Sequence, residues 1–163
     1  MTNSQTLISL KDVIQSGVFG PIKLGMSRDE VIAVLGEPDA VAINSRRRHR
    51  LKPGFIKYGD IEFYFTDETD QLHMIYADHV SEFRGGNRIS LDSWIIKGGA
   101  PRKEIEKALS DIGINFIEVK PWDPTCSQIR TDSGVELVFA EVEEEYSAPV
   151  GLYSFCLKDK DNE

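Results

Sequence analysis

The chain has 163 residues, of which 40% are hydrophobic and 28% charged, and its formal net charge is −8. That length suits one domain with a sizeable core, or two units of about 75 residues that share one, and the composition excludes disordered and fibrous classes. The acidic balance argues against general affinity for nucleic acid or anionic membrane, which needs clustered Lys and Arg, and no apolar run approaches the ~20 residues of a bilayer span.

The polar segment Met1 to Leu10 lacks the parts of a secretory signal, so a cytoplasmic protein is expected. Ser9 can cap a short helix that runs to Ser16 and stops at Gly17. The sharpest local signal is Met26-Ser27-Arg28-Asp29-Glu30-Val31. Ser27 can accept from the Glu30 N–H while the Glu30 carboxylate reaches back to the Ser27 N–H, and Met26 can staple onto Val31. Val31, Ile32, Val34 and Leu35 give this helix an apolar stripe, and Gly36 with Pro38 ends it. A helix of about two and a half turns is marginal alone, so it must dock on a sheet.

That sheet is predicted from Ala40 to Ile43, Phe55 to Tyr58, Ile61 to Phe65 and Leu72 to Tyr76, with a turn at Gly59-Asp60 and a polar tip from Thr66 to Gln71. Ser81 to Asn87 reads as a joint, and Ile89-Ser90-Leu91 as an added strand. A helix over Arg102 to Asp111 follows, with Pro101 where the first helix has its capping serine. Phe116 to Val119 is a strand broken by Pro121-Trp122-Asp123-Pro124. Ser133-Gly134 turns into Val135 to Phe139, and a long tip from Ala140 to Gly151 leads to Leu152 to Leu157. Cys126 and Cys156, which are not at metal-ligand spacing, are expected to be reduced, buried or half-buried thiols.

Displaced by 74 residues, the chain partly matches itself. Ile22-Lys23, Gly25, Arg28 and Glu30 recur as Ile96-Lys97, Gly99, Arg102 and Glu104; Leu35 recurs as Leu109, and Glu62 and Phe65 as Glu136 and Phe139. The expected fold is therefore α+β with two tandem repeats, each a short helix or helix pair plus an antiparallel hairpin or sheet, the helices on one face. Residues 1–82 form the first repeat, residues 88–157 the second, both packed as one globular unit, and 158–163 a charged tail.

The pattern Ile22-Lys23-Leu24-Gly25-Met26-Ser27, with Val31, Leu35-Gly36 and Pro38, then Lys57-Tyr58-Gly59-Asp60-Ile61-Glu62-Phe63 and a hairpin, resembles the repeat unit of β-lactamase-inhibitor-like proteins. It is also similar to small outer-membrane lipoproteins of the SmpA/OmlA type. The resemblance implies helices packed on one face of an antiparallel sheet whose curved opposite face is free for a protein partner. The lipoprotein branch requires an export signal and a lipid-accepting cysteine near the start, which this reading does not find. An intracellular relative is expected, with bacterial toxin immunity as one employment.

Glu62, Tyr64, Glu136 and Val138 are expected to point away from the helices, and Tyr58 and Tyr64 to act as contact anchors. A plain solvated sheet face would show the same alternation. Asp67, Glu68 and Asp70 in the first hairpin tip, and Glu143 with its neighbours in the second, could enter a basic cleft of a partner, or serve only solubility. Trp122, in a proline-flanked loop, is the better contact candidate of the two tryptophans. Arg46, Arg47, Arg48 and Arg50 form a basic loop that could grip phosphate or an acidic group. Nucleic-acid binding is not favoured, because no aromatic residues interleave with it.

No Gly-rich phosphate loop, nucleophile elbow, His-Glu-x-x-His or zinc-spaced cysteine pair is present. The expectation is a protein-binding module, not an enzyme, with no cofactor or metal, whose partner is another protein such as a toxin or an enzyme. The alternative is a small-molecule or nucleic-acid binding domain that uses the basic loop.

Overall fold

A computed structural model describes residues 4–42, 54–78, 83–142 and 150–159. Within them the protein is α+β, with three helices and an eight-stranded antiparallel sheet. Strand β1 (Thr6–Ser9) runs into helix α1 (Leu10–Ser16), and helix α2 (Arg28–Leu35) follows. Strands β2 (Ala40–Ala42), β3 (Phe55–Tyr58), β4 (Ile61–Phe65) and β5 (Leu72–Asp78) come next. Then come β6 (Ile89–Asp92), helix α3 (Arg102–Asp111), β7 (Phe116–Val119), β8 (Cys126–Thr131), β9 (Val135–Ala140) and β10 (Gly151–Lys158). The large sheet has the order β2-β3-β4-β5-β10-β9-β8-β7, so the last strand pairs with β5 at its middle. Strands β1 and β6 form a separate parallel pair.

The helix ends follow the local chemistry of their sequences. Ser9 accepts from the Asp12 N–H at 3.3 Å, and Gly17 closes α1 in the left-handed region. The reciprocal Ser27–Glu30 box is formed, at 3.1 Å and 2.8 Å. Pro101 occupies the N-cap of α3 without a side-chain hydrogen bond, as the missing serine implies. Two strands are additions to the sequence reading. β1 ends on the Ser9 cap itself, and β8 occupies a stretch with too few apolar residues to alternate visibly.

Alternation divides the sheet into two faces. Ile56, Tyr58, Ile61, Phe63, Phe65, Ile75, Ile129, Leu137, Phe139, Phe155 and Leu157 are buried together with Val13 and Ile14 of α1, Val31 and Leu35 of α2, and Ile105 and Leu109 of α3. Arg28 of α2 lies over the Phe65 ring at 4.7 Å, and Arg102 of α3 over Phe139 at 6.0 Å, so both helices meet this same face. Tyr58 is a correction to the sequence reading: it is fully buried and not an outward anchor. Register puts it opposite Ile61, on the core face, where its ring packs edge-on to Phe63 and its hydroxyl donates to the Gly36 carbonyl at 2.7 Å.

Asp70 has a partner within the fold. Its carboxylate takes a fork of hydrogen bonds from Arg28 Nε and the Arg28 terminal nitrogen, the shortest at 2.8 Å. This ties the start of α2 to the β4–β5 tip, so Asp70 braces the fold.

Candidate functional site: the sheet face away from the helices

The second face carries the alternate residues. Cross-strand register aligns Lys57, Glu62, Tyr76, Cys156, Glu136 and Arg130 in one row across six strands, and Ser154, Val138 and Gln128 in another. Glu62, Tyr64, Glu136 and Val138 thus lie on the side opposite the core residues, as their parity predicts. Across β4, β5, β10, β9 and β8 this face sinks into a groove of about 590 Å³. Its walls are aromatic and apolar, including Tyr64, Tyr76, Tyr153, Met74, Val138 and Trp122.

Two irregularities in the ladder shape the groove. Between Leu152 and Ser154 the β9–β10 register shifts by one residue, which makes Tyr153 the extra residue of a bulge and lets it line the groove beside Ser154. The β4–β5 shift at His73 similarly returns Met74 and Tyr76 to the groove side. Burial lowers the pKa of His73.

The floor is polar and tightly paired. Glu136 is only 5% exposed, and accepts from Gln128 Nε2 at 2.7 Å, Arg130 Nε at 2.9 Å and Lys158 Nζ at 3.2 Å. It points away from the helices but is no solvated sheet position, because Arg130 and Lys158 close over it. Tyr64 donates its hydroxyl proton to Glu62 at 2.7 Å, and Tyr76 donates to Asp78 at 3.0 Å. The Tyr64 ring also packs on Phe55 at 4.8 Å.

These phenols are held neutral. Burial, then the Glu62 hydrogen bond and charge, raise the pKa of Tyr64; burial, then the Asp78 carboxylate, raise that of Tyr76. Burial and the charges of Asp78 and Asp123 raise Tyr153 as well. Burial pushes Tyr58 up to about 12 and the Cys156 thiol up to about 12, so Cys156 stays protonated and is a poor nucleophile. Neither cysteine is in a disulfide; Cys126 is half-buried and Cys156 buried.

A pH dependence follows. Each of these groups ionises more readily in the unfolded chain, so the stability they contribute is complete below their unfolded pKa values, about 8.5 for Cys and 10 for Tyr. It is lost as pH rises through the folded values. Urea midpoints measured from pH 8 to 11 are expected to fall with rising pH, and Tyr58→Phe should reduce the slope. A flat profile would contradict the burial of these hydroxyls.

Trp122 stands at the groove mouth with 97% of its surface exposed, in a loop held by Asp123, which accepts from the Thr125 N–H at 2.9 Å and the Thr125 hydroxyl at 2.7 Å. Those bonds lower the Asp123 pKa. Glu68 and Asp67 are exposed at the β4–β5 tip. The structure brings Tyr64, Trp122, Val138 and Glu136 to one groove and leaves Tyr58 and Asp70 outside it. Glu143 and the basic residues Arg46, Arg47, Arg48 and Arg50 lie outside the described residues. Sequence reasoning missed Met74, Tyr76 and Tyr153, because the two bulges break the period-2 pattern that would have placed them, and Cys126 and Gln128, because β8 has too few apolar residues to show alternation.

Among the described residues, no group of three or more His, Cys, Asp or Glu could hold a metal ion, and no helix is long and apolar enough to cross a membrane. No protein-family model matches the chain, and no curated protein or solved structure matches it.

Proposed function

We propose that this chain is a non-enzymatic protein-binding module that receives its partner on the sheet face turned away from the helices. The observation that carries the reading is Trp122, almost wholly exposed at the mouth of a groove lined by three tyrosines. An isolated tryptophan kept in water has no folding role to explain it, whereas tryptophan and tyrosine beside a preformed concavity are the residues that dominate interface energies. Of the employments implied by the resemblance to β-lactamase-inhibitor-like proteins, a cytosolic immunity or inhibitor protein that occludes its partner's active site is the one we favour. In it, Glu62 and the exposed Asp67 and Glu68 supply orientation and on-rate.

The same proposal takes the chain as a duplication, and matched contacts support it. Gly25 donates to the Leu72 carbonyl at 2.7 Å and Leu72 to that of Met26 at 2.8 Å; Gly99 donates to Leu152 at 2.8 Å and Leu152 to Ala100 at 2.9 Å. Arg28 over Phe65 is likewise matched by Arg102 over Phe139. All but the Leu72–Leu152 pair are positions related by the 74-residue displacement.

Capture of a partner from the native host, followed by competition with variants, tests the reading. Trp122→Ala and Tyr153→Ala are each expected to weaken capture by about tenfold or more, with Trp122→Ala leaving the thermal midpoint unchanged. A photo-crosslinker at position 122 should label the partner, and one at Leu7, exposed on β1, should not. Unchanged capture by both variants would end the assignment. One observation favours a small-molecule site instead: the groove volume lies in the roughly 300–1,000 Å³ range of ligand pockets.

A further inference from the structure

We infer that the groove receives a basic side chain, arginine or lysine, of the partner protein, held between the faces of Trp122, Tyr153 and Tyr76 and the carboxylates around them. The inference rests on the docking reading above and names the chemistry of what docks.

The hydroxyl protons of Tyr64 and Tyr76 are already given to Glu62 and Asp78, so the phenol oxygens meet a ligand as acceptors. Asp123 stands on the groove wall, and its carboxylate is anionic at neutral pH. The cations at the floor, Arg130 and Lys158, are turned onto Glu136. Among the described residues, the carboxylates of Glu62, Asp78 and Asp123 bear on the three groove tyrosines. A cavity with aromatic faces and acceptor oxygens attracts a cation by ring quadrupole and by charge, and it disfavours an anion on both counts. Phosphate, carboxylate and nucleic-acid groups are therefore poor occupants. A guanidinium or ammonium on an apolar stem matches both the apolar walls and the acceptors. The formal charge of −8 adds a long-range field of the same sign.

The test uses the full chain, with N-acetyl-arginine amide as probe and N-acetyl-citrulline amide as its neutral isostere. Each is followed by the NMR shifts of the Trp122 indole and the tyrosine rings. The arginine probe is expected to shift these signals, with citrulline about tenfold weaker, a difference of about 1.4 kcal/mol. Asp78→Asn with Asp123→Asn should erase that preference and weaken partner capture by about the same factor. Equal binding of the two probes, or no shift with either, overturns the inference. If Trp122→Ala loses the partner while the double aspartate variant keeps it, the cation assignment fails and the docking reading stands. If the arginine probe binds but capture ignores Trp122→Ala, the docking reading fails, and the protein source of the cation with it.

Discussion

Gly59→Ala is expected to destabilise the protein by about 3 kcal/mol, lowering the thermal midpoint by roughly 10 °C. Gly59 has φ +59°, and a Cβ there would stand 2.3 Å from the Gly86 nitrogen and 2.4 Å from the Arg84 oxygen. Both obstacles are backbone and cannot swing aside. The left-handed conformation alone costs alanine about 1 kcal/mol, and relieving the overlap accounts for the rest. Gly113 supplies the control, since its φ is +75° and no atom lies within 4 Å of an added Cβ. Gly113→Ala should therefore show only the conformational cost. Equal losses in thermal denaturation would mean that the contact between the β3–β4 turn and the segment at Arg84–Gly86 is not formed. That contact is also held by the Asp60 N–H donating to Arg84 at 2.8 Å and the Arg84 N–H donating to the Asp60 carboxylate at 3.0 Å.

The second large effect lies beneath the groove. Glu136→Ala removes the acceptor shared by Gln128, Arg130 and Lys158, leaving two cations close together at the sheet surface. Breaking a buried pair costs about 3–5 kcal/mol, and the partial exposure of Arg130 and Lys158 reduces this to about 2–3. With an m-value of about 2 kcal/mol/M, the urea midpoint should drop by roughly 1 M. Replacing the pair together, Glu136→Leu with Arg130→Met, should recover most of the loss, because apolar side chains of similar size need no partner. A Glu136→Ala variant as stable as the parent would show that the cluster contributes nothing to holding β8, β9 and β10.

Much of the architecture was legible because local chemistry and tertiary packing agree. The Ser27–Glu30 box, the Arg102–Asp111 helix and the β3, β4 and β7 bounds follow from caps, proline and alternation. Tyr58 was misplaced although its parity was available: a two-residue Gly59-Asp60 turn sets Tyr58 directly opposite Ile61, and so on the core face. Asp70 looked like tip charge because its partner, Arg28, is 42 residues away in the chain. The groove was half visible. Tyr64 and Val138 sit in regular strands, but Tyr76 follows a bulge and Tyr153 is the extra residue of another, which a period-2 count cannot anticipate, and β8 is too polar to announce itself. Trp122 stood out by its flanking prolines, whereas its place at the groove mouth depends on the pairing of β7, β8 and β9, which no local pattern encodes.

Hydroxyl-radical footprinting with and without the captured partner bears most directly on which surface docks. Trp122, Met74 and Tyr153 are expected to lose reactivity when the partner is added, while Leu7 on β1 and Val34 on α2 stay as reactive as before. Protection of Leu7 and Val34, with the three groove residues unchanged, would contradict the assignment of the docking face.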